Sequence, residues 1–315
     1  MQEEGYLIQK VNKTHSIQYT SITSCPLCGT QEFSPVFTCT DHTVSQEKFQ
    51  LYACNDCSFL FTQDHPSEKD IDAYYESEDY IAHTNTRKGL TSLLYHMVRS
   101  LTLRGKVRLI KREYPHKPGV LLDFGAGNGH FAHMMQKRHW EVEAFEKNKK
   151  ARAVARARLG MHLKEEKAIQ LLAPHSIDVI TLWHVMEHLE DINGYFQKFY
   201  ELLIEQGLLI LAVPNHTSYD ADHYQEEWAA YDVPRHLWHF SPITMQKWGA
   251  KHGFVLAAHY PMPFDGFYIS ILSEKNQNHF CSFLRGLFVG FKGFLQSLAK
   301  KEKSSSMIYV FRKKH

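Results

Sequence analysis

Asp123-Phe124-Gly125-Ala126-Gly127-Asn128-Gly129 is the stretch on which the reading of this chain turns. Pro118 and Gly119 interrupt the chain just before it, and residues 120–124 form a short apolar run, the pattern of a strand buried on both faces. After it, the pattern predicts a helix to about Lys137. A glycine-rich turn between a parallel strand and a helix lets backbone approach a ligand closely and aims helix N–H groups at it. Two ligands are disfavoured. A phosphate-cradling loop ends in Gly-Lys-Ser/Thr, whereas Gly129 is followed by His130 and Phe131. A dinucleotide fingerprint runs Gly-x-Gly-x-x-Gly, but Gly125-x-Gly127-x-Gly129 brings the third glycine one residue early, which argues against NAD.

Downstream, strand and helix patterns alternate. Residues 140–146, 178–183, 208–213, 254–259 and 307–311 read as strands. Between the second and third of these lies a helix with Asp191 as N-cap. Ile192, Tyr195, Phe196, Phe199, Leu202 and Leu203 line one face, and Gly207 is placed as the C′ glycine. Ser241-Pro242 opens another helix, ending near Gly253. Upstream, Leu90, Leu93, Leu94, Met97, Val98 and Leu101 make one apolar helical face. Alternation of this kind predicts an α/β fold with a mostly parallel sheet covered on both faces.

The loop sequence Asp-x-Gly-x-Gly-x-Gly resembles the first motif of class I methyltransferases. The likeness extends to Ser176–Leu189, with its His184-Val-Met-Glu187-His188 ending, to 207–215, and to Asp232-Val-Pro-Arg235-His236-Leu-Trp-His239-Phe-Ser241. The last segment is similar to a bacterial small-molecule branch related to the ubiquinone-type O-methyltransferases, and the whole match covers roughly residues 75–315. The resemblance implies a Rossmann-like seven-stranded, mostly parallel sheet and S-adenosylmethionine as cofactor. Asp123, Gly125, Gly127 and Gly129 would wrap the methionine part, and Glu146, ending the second strand, would accept both ribose hydroxyls. Trp183 and His184 would lie against the cofactor. The segment around Tyr80 and His83 resembles the family's cap over it, although an ordinary linker reads as well.

Methyl transfer from a sulfonium needs alignment, exclusion of water and, for an acidic acceptor, removal of a proton. Ligands of open α/β sheets sit at the carboxyl ends of the strands, so the turns holding His184, His188, His236 and His239 should face one another. His184 and His236 are the first candidates for a base, then His239 and His188. With 21 histidines in the chain, one beside a cleft is also simple packing. Arg235 reads as a brace for the loop through Asp232, or as a ligand for an anionic acceptor.

Residues 1–65 look like a small module of their own, with residues 66–117 a helical linker and cofactor cap, and 118–315 the cofactor-binding domain. Cys25-Pro-Leu-Cys28 and Cys54-Asn-Asp-Cys57 bracket short β-like runs. Two such knuckles can supply four thiolates to one tetrahedral, closed, structural zinc. Cys39 and His42, between the pairs, could replace a ligand. A similar zinc module precedes some deoxysugar C-methyltransferases, whose further C-terminal domain has no counterpart in these residues.

Composition sets the outer limits. The 315 residues are 43% apolar and 13% aromatic, enough for a large core, and the net charge is only +2. That balance argues against a nucleic-acid partner and favours a small-molecule acceptor, O- before C- or N-methylated. An RNA methyltransferase gripping nucleic acid through the zinc module, and a non-catalytic cofactor-binding protein, remain alternatives. The polar start without an apolar core predicts a cytoplasmic protein. Phe280, Phe283, Leu284, Leu287, Phe288, Phe291, Phe294, Leu295 and Leu298 form a helical stripe in an insertion over 279–303. It reads as a cover for the acceptor site or a partner subunit, or as a basic surface helix at 280–301 touching a membrane.

Overall fold

The structure, a computed structural model, describes residues 17–75 and 90–314, with side chains of the first helix described from residue 102. The main sheet holds six strands: β6 (Val120–Phe124), β7 (Glu141–Phe145), β8 (Ile177–Trp183), β9 (Leu203–Pro214), β11 (Phe254–Pro261) and β12 (Ser306–Lys313), in the order β11-β12-β9-β8-β6-β7. The first four run parallel, and β12 is antiparallel to both of its neighbours. Among the described residues no seventh strand extends the sheet beyond β7. A single parallel bridge, Phe145 to Lys164, stands in that position.

Alternate residues of each strand feed two cores, as the pleat requires. Leu122, Ile180, Leu182 and Leu209 face one side, where Phe196 and Phe199 of α4 (Ile192–Leu202) and Trp248 of α6 (Pro242–Lys251) cover them. Leu121, Val179, Ile210 and Val310 face the other, against Leu109 and Ile110 of α1 (Leu90–Glu113) and Phe131 of α2 (His130–Gln136). Beyond α2, α3 (Lys149–Leu159) contributes Ala155 to a small cluster at the sheet edge.

The helix starts follow the sequence. Asp191 accepts from the Gly194 N–H, and Ser241 and Thr244 form a reciprocal capping box with Pro242 in the first turn. The end of α4 does not. The helix stops at Leu202, and Gly207 lies inside β9. A Cβ there would come within 2.8 Å of Leu203 Cδ2 and 3.1 Å of the Asp178 carbonyl oxygen, so this glycine serves a close strand approach.

The N-terminal strands are knitted into the rest. β1 (Tyr19–Thr20) pairs with β5 (His65–Pro66), while β2 (Phe33–Thr40), β3 (Lys48–Cys54) and β4 (Leu60–Thr62) form a second sheet. Its fourth strand is β10 (Trp238–His239), which the chain inserts between α5 (Tyr219–Tyr224) and α6. Phe59 and Phe61 therefore sit in the same core as Phe196 and Trp248.

Between β11 and β12 the chain forms α7 (Asp265–Asn276) and α8 (Ser282–Ala299). Gly286 and Gly290 let α8 press on α7, where added Cβ atoms would meet Ile271 Cα at 2.5 Å and Phe267 Cα at 2.7 Å. The opposite face leaves Phe283, Leu284, Phe288 and Leu298 exposed. Among the described residues no helix is long and apolar enough to cross a membrane.

Candidate active site

The turn after β6 is built from three left-handed glycines, Gly125, Gly127 and Gly129, at φ +73°, +55° and +74°. A Cβ at Gly125 would lie 2.3 Å from Val185 Cγ2, so the loop packs directly on the turn after β8. At Gly127 a Cβ would meet nothing within 4 Å, so the loop keeps an open face toward the strand ends. Glu146, one residue past β7, closes this face. Its Oε2 accepts the Gly127 N–H at 2.7 Å and its Oε1 the Asn148 N–H at 2.8 Å. Burial raises its pKa, against the pull of those two N–H groups. A carboxylate has about four lone-pair sites, so two hydroxyls can still be accepted.

Asp123 is buried and accepts the Thr181 hydroxyl at 2.9 Å. Burial pushes its carboxyl up to about 7. Lys106, from α1, holds its Nζ 4.2 Å from the centre of the Trp183 ring. Burial lowers its pKa to about 8, against the attraction of Asp123 and Asp265. Asn128 Oδ1 and Trp183 Nε1 are buried with no hydrogen-bond partner in the described structure. An acceptor and a donor waiting beside an open glycine loop suit a ligand carrying both an amino group and a carboxylate. Those are the groups of the methionine part of S-adenosylmethionine, so the residues fit that cofactor.

Across the sheet top, His184 follows β8 in the left-handed region, at φ +57°. Its ring stands between Glu187 Oε1 at 3.4 Å and Asp265 Oδ2 at 3.3 Å. Burial opposes the charge, but the two carboxylates outweigh it and raise the pKa to about 9. At neutral pH this imidazole keeps its proton, a donor rather than the free base the sequence suggests. His188 and His236 meet edge to face, their ring centres 4.6 Å apart. The Nδ1 of His188 lies 2.9 Å from the Arg235 carbonyl oxygen and 3.1 Å from the Tyr75 hydroxyl; that of His236 lies 2.8 Å from the Ala230 carbonyl oxygen. His239 does not join them. It is buried in β10 with Nε2 3.0 Å from Thr62 Oγ1, and burial drives its pKa well below the ordinary value. A base there has no route to a substrate. Tyr80 and His83 lie outside the described residues.

Arg235 is a brace. It donates to Asp232 Oδ1 at 2.7 Å, Asp41 Oδ1 at 2.9 Å and the Tyr74 carbonyl oxygen at 2.9 Å, with only 2% of its surface exposed. The guanidinium thus ties the cleft loop to the β2–β3 connection. Replacing Arg235 with methionine should cost about 3 kcal/mol in denaturant unfolding, because Asp41 stays buried without its cationic partner, held only by the N–H groups of residues 43–45 and the Ser45 hydroxyl. A midpoint equal to the parent's would refute the brace.

The four cysteines converge. The sulfurs of Cys25, Cys28, Cys54 and Cys57 lie within 4.8 Å of one another, with Cys25–Cys57 at 3.5 Å and Cys28–Cys54 at 3.4 Å. These separations exclude disulfides, whose sulfurs stand about 2.05 Å apart, and suit four thiolates around one tetrahedral ion. The knuckles match in detail. The Gly29 N–H donates to the Cys25 carbonyl and the Ser58 N–H to the Cys54 carbonyl, and both Gly29 and Ser58 are left-handed. Cys39 lies elsewhere, in a core with Phe49 and Trp228, and His42 pairs with Glu227 at 3.1 Å.

Lys106 and Asp265 are the site residues that the sequence does not reveal. Each comes from a helix outside the motifs, and no spacing rule brings it to the strand ends.

Comparison with known proteins agrees with this geometry. A methyltransferase domain family matches residues 96–259, which is more than half of the chain. No curated protein sequence matches it. Among solved structures, Haemonchus contortus phosphoethanolamine N-methyltransferase 2 with S-adenosyl-L-methionine is similar at a TM-score of 0.50 and 16% identity, over 81% of this chain and 63% of that one. The complex of the same enzyme with phosphomonomethylethanolamine and S-adenosylhomocysteine gives a TM-score of 0.51, again at 16% identity and over 81% and 63% of the two chains. This chain therefore spans somewhat less than two thirds of those proteins' length, and the likeness is one of fold. With the family match, the chain belongs to the methyltransferase domain family, and its fold is that of S-adenosylmethionine-dependent methyltransferases.

Proposed function

We propose that this enzyme methylates a small-molecule acceptor, at oxygen before carbon or nitrogen, in the cleft between the 184–188 turn and the 232–236 loop. The observation that carries this reading is the open glycine loop packed on the turn after β8, whose His184 stands between the Glu187 and Asp265 carboxylates. On this reading, the Gly125–Gly127–Gly129 loop and Asp123 hold the methionine part, with Lys106 and Trp183 toward its carboxylate. Glu146 takes the ribose. His184, held between Glu187 and Asp265, shapes the boundary between cofactor and acceptor. The enzyme then works chiefly by alignment and exclusion of water. An oxygen acceptor is supported by the acid–imidazole wall, which can manage a proton that a tertiary amine would not carry.

The cysteine cluster is read as a closed zinc site whose work is structural, since four thiolates leave no open position. The near-neutral charge weighs against an RNA substrate. The bare apolar face of α8, with Arg285, Lys292, Lys300 and Lys301 near it, suits contact with a second copy or a lipid surface.

Calorimetry with S-adenosylhomocysteine and NADH on one sample tests the cofactor assignment. Binding of the first and none of the second is expected, and failure to bind S-adenosylhomocysteine overturns it. Turnover across a panel of phenol, carboxylate and amine acceptors then tests the oxygen preference.

A further inference from the structure

We propose that Glu187, His188 and His236 form a second metal site, separate from the four cysteines, which takes one divalent transition-metal cation through two imidazole nitrogens and a carboxylate. One ligand atom from each of the three lies within 4.8 Å of the others, a spacing that modest side-chain rotation closes to the ~3.4 Å between donors bound at about 2.0–2.1 Å.

Two independent features point to a cation. The first is the orientation of the imidazoles. Both Nδ1 atoms face backbone carbonyl oxygens, Arg235 for His188 and Ala230 for His236. A carbonyl can only accept, so each Nδ1 carries a proton, and in the neutral ring it is Nε2 that holds the lone pair. Histidines that ligate metals are held in this way, by donating their other N–H to a carbonyl or carboxylate. The second is Glu187. Its carboxylate is fully buried, yet neither oxygen has a hydrogen-bond partner in the described structure. The protonated His184 ring, 3.4 Å from Oε1, offsets part of its charge. Oε2 is left without a hydrogen-bond partner, and a buried oxygen left so is costly unless a further cation reaches it.

The donor set also limits the ion. Two imidazoles and one carboxylate without thiolate suit Zn²⁺, Co²⁺, Ni²⁺ or Fe²⁺ and serve Ca²⁺ poorly. Three protein ligands leave coordination positions open, unlike the closed cysteine site. On the acceptor-cleft reading above, those positions face the acceptor and select a molecule with a hydroxyl or carboxylate oxygen; the metal site itself does not depend on that reading.

The test uses the full chain with its thiolate-bound metal in place and no cofactor or acceptor. After passage over a chelating resin, CoCl₂ is titrated in by calorimetry and visible absorption. One further equivalent of Co²⁺ is expected, with weak bands of nitrogen and oxygen ligation and no new sulfur-to-metal charge transfer. Glu187→Gln and His236→Ala should each weaken that equivalent at least tenfold while the thiolate-bound metal is kept. Binding of no further equivalent by the parent overturns the proposal, as does parent-like affinity in both variants. If a variant misfolds, the parent's spectrum decides: nitrogen and oxygen bands support the site, and their absence overturns it.

Discussion

Glu146→Ala should bind S-adenosylhomocysteine at least about a hundredfold more weakly than the parent. Each hydrogen bond from a ribose hydroxyl to a carboxylate is worth about 1.5–3 kcal/mol, and the variant forfeits two. The change acts a second time through the loop. The Glu146 carboxylate receives the Gly127 N–H at 2.7 Å, so it also holds the central left-handed glycine in place. Glu146→Gln separates the two effects. An amide oxygen can still receive one N–H, which keeps the loop shaped, but it lacks the charge and the second acceptor. An intermediate loss, about tenfold, is expected. Calorimetry measures both variants. Affinity of Glu146→Ala within threefold of the parent would remove this residue from the ribose role.

The second large effect is expected at Cys57→Ser. Structural zinc sites in small domains supply about 10–16 kcal/mol of apparent folding energy, and loss of one thiolate forfeits a large part of it. Here the damage should spread beyond the N-terminal strands. Phe59, two residues on, packs its ring 4.9 Å from that of Trp248 and 5.9 Å from that of Trp238. The Pro26 carbonyl oxygen in the first knuckle accepts from Asn193 at 3.1 Å and from Lys251 at 2.5 Å. The metal knuckles therefore stand on α4 and α6. In Co²⁺-substituted protein the variant should lose the thiolate-to-metal charge-transfer absorption, and heating should shift tryptophan emission well before the parent melts. Retention of that absorption, together with a parent-like melt, would falsify the structural role.

Much of this fold is legible in the chain because its signals are local. A buried parallel strand announces itself as an unbroken apolar run, and β6, β8 and β9 do so. Ser241-Pro242 and Asp191 mark helix starts because capping is settled within four residues. Gly207 misleads for the same reason. Glycine after an apolar helix face fits a left-handed cap, but the demand it meets is set by β8, whose backbone presses on it. Nor could the sequence foresee that, among the described residues, only a bridge at Lys164 stands beyond β7, since one bridge leaves almost no pattern. In the site, the glycine loop and Glu146 are readable because a single strand-turn-helix-strand unit positions them. Lys106 and Asp265 are not, for they reach the cleft only after helices at opposite ends of the domain pack. His239 shows the converse. It belongs to a histidine-rich motif, yet the pairing of β10 with β4 turns its ring into the core beside Thr62.

The β4–β10 pairing has a consequence during synthesis. Thr62 and His239 are 177 positions apart, and Phe59 packs on Trp238, Phe240 and Trp248, all at about that distance or beyond. At roughly 5–20 residues per second, a ribosome needs on the order of ten seconds or more to deliver the second strand after the first. For that interval the edge of β4 and the ring of Phe59 await segments that have not yet been made. If the early knuckles take up zinc, they can close at once, leaving the nascent chain with one end pinned and its sheet edge still bare.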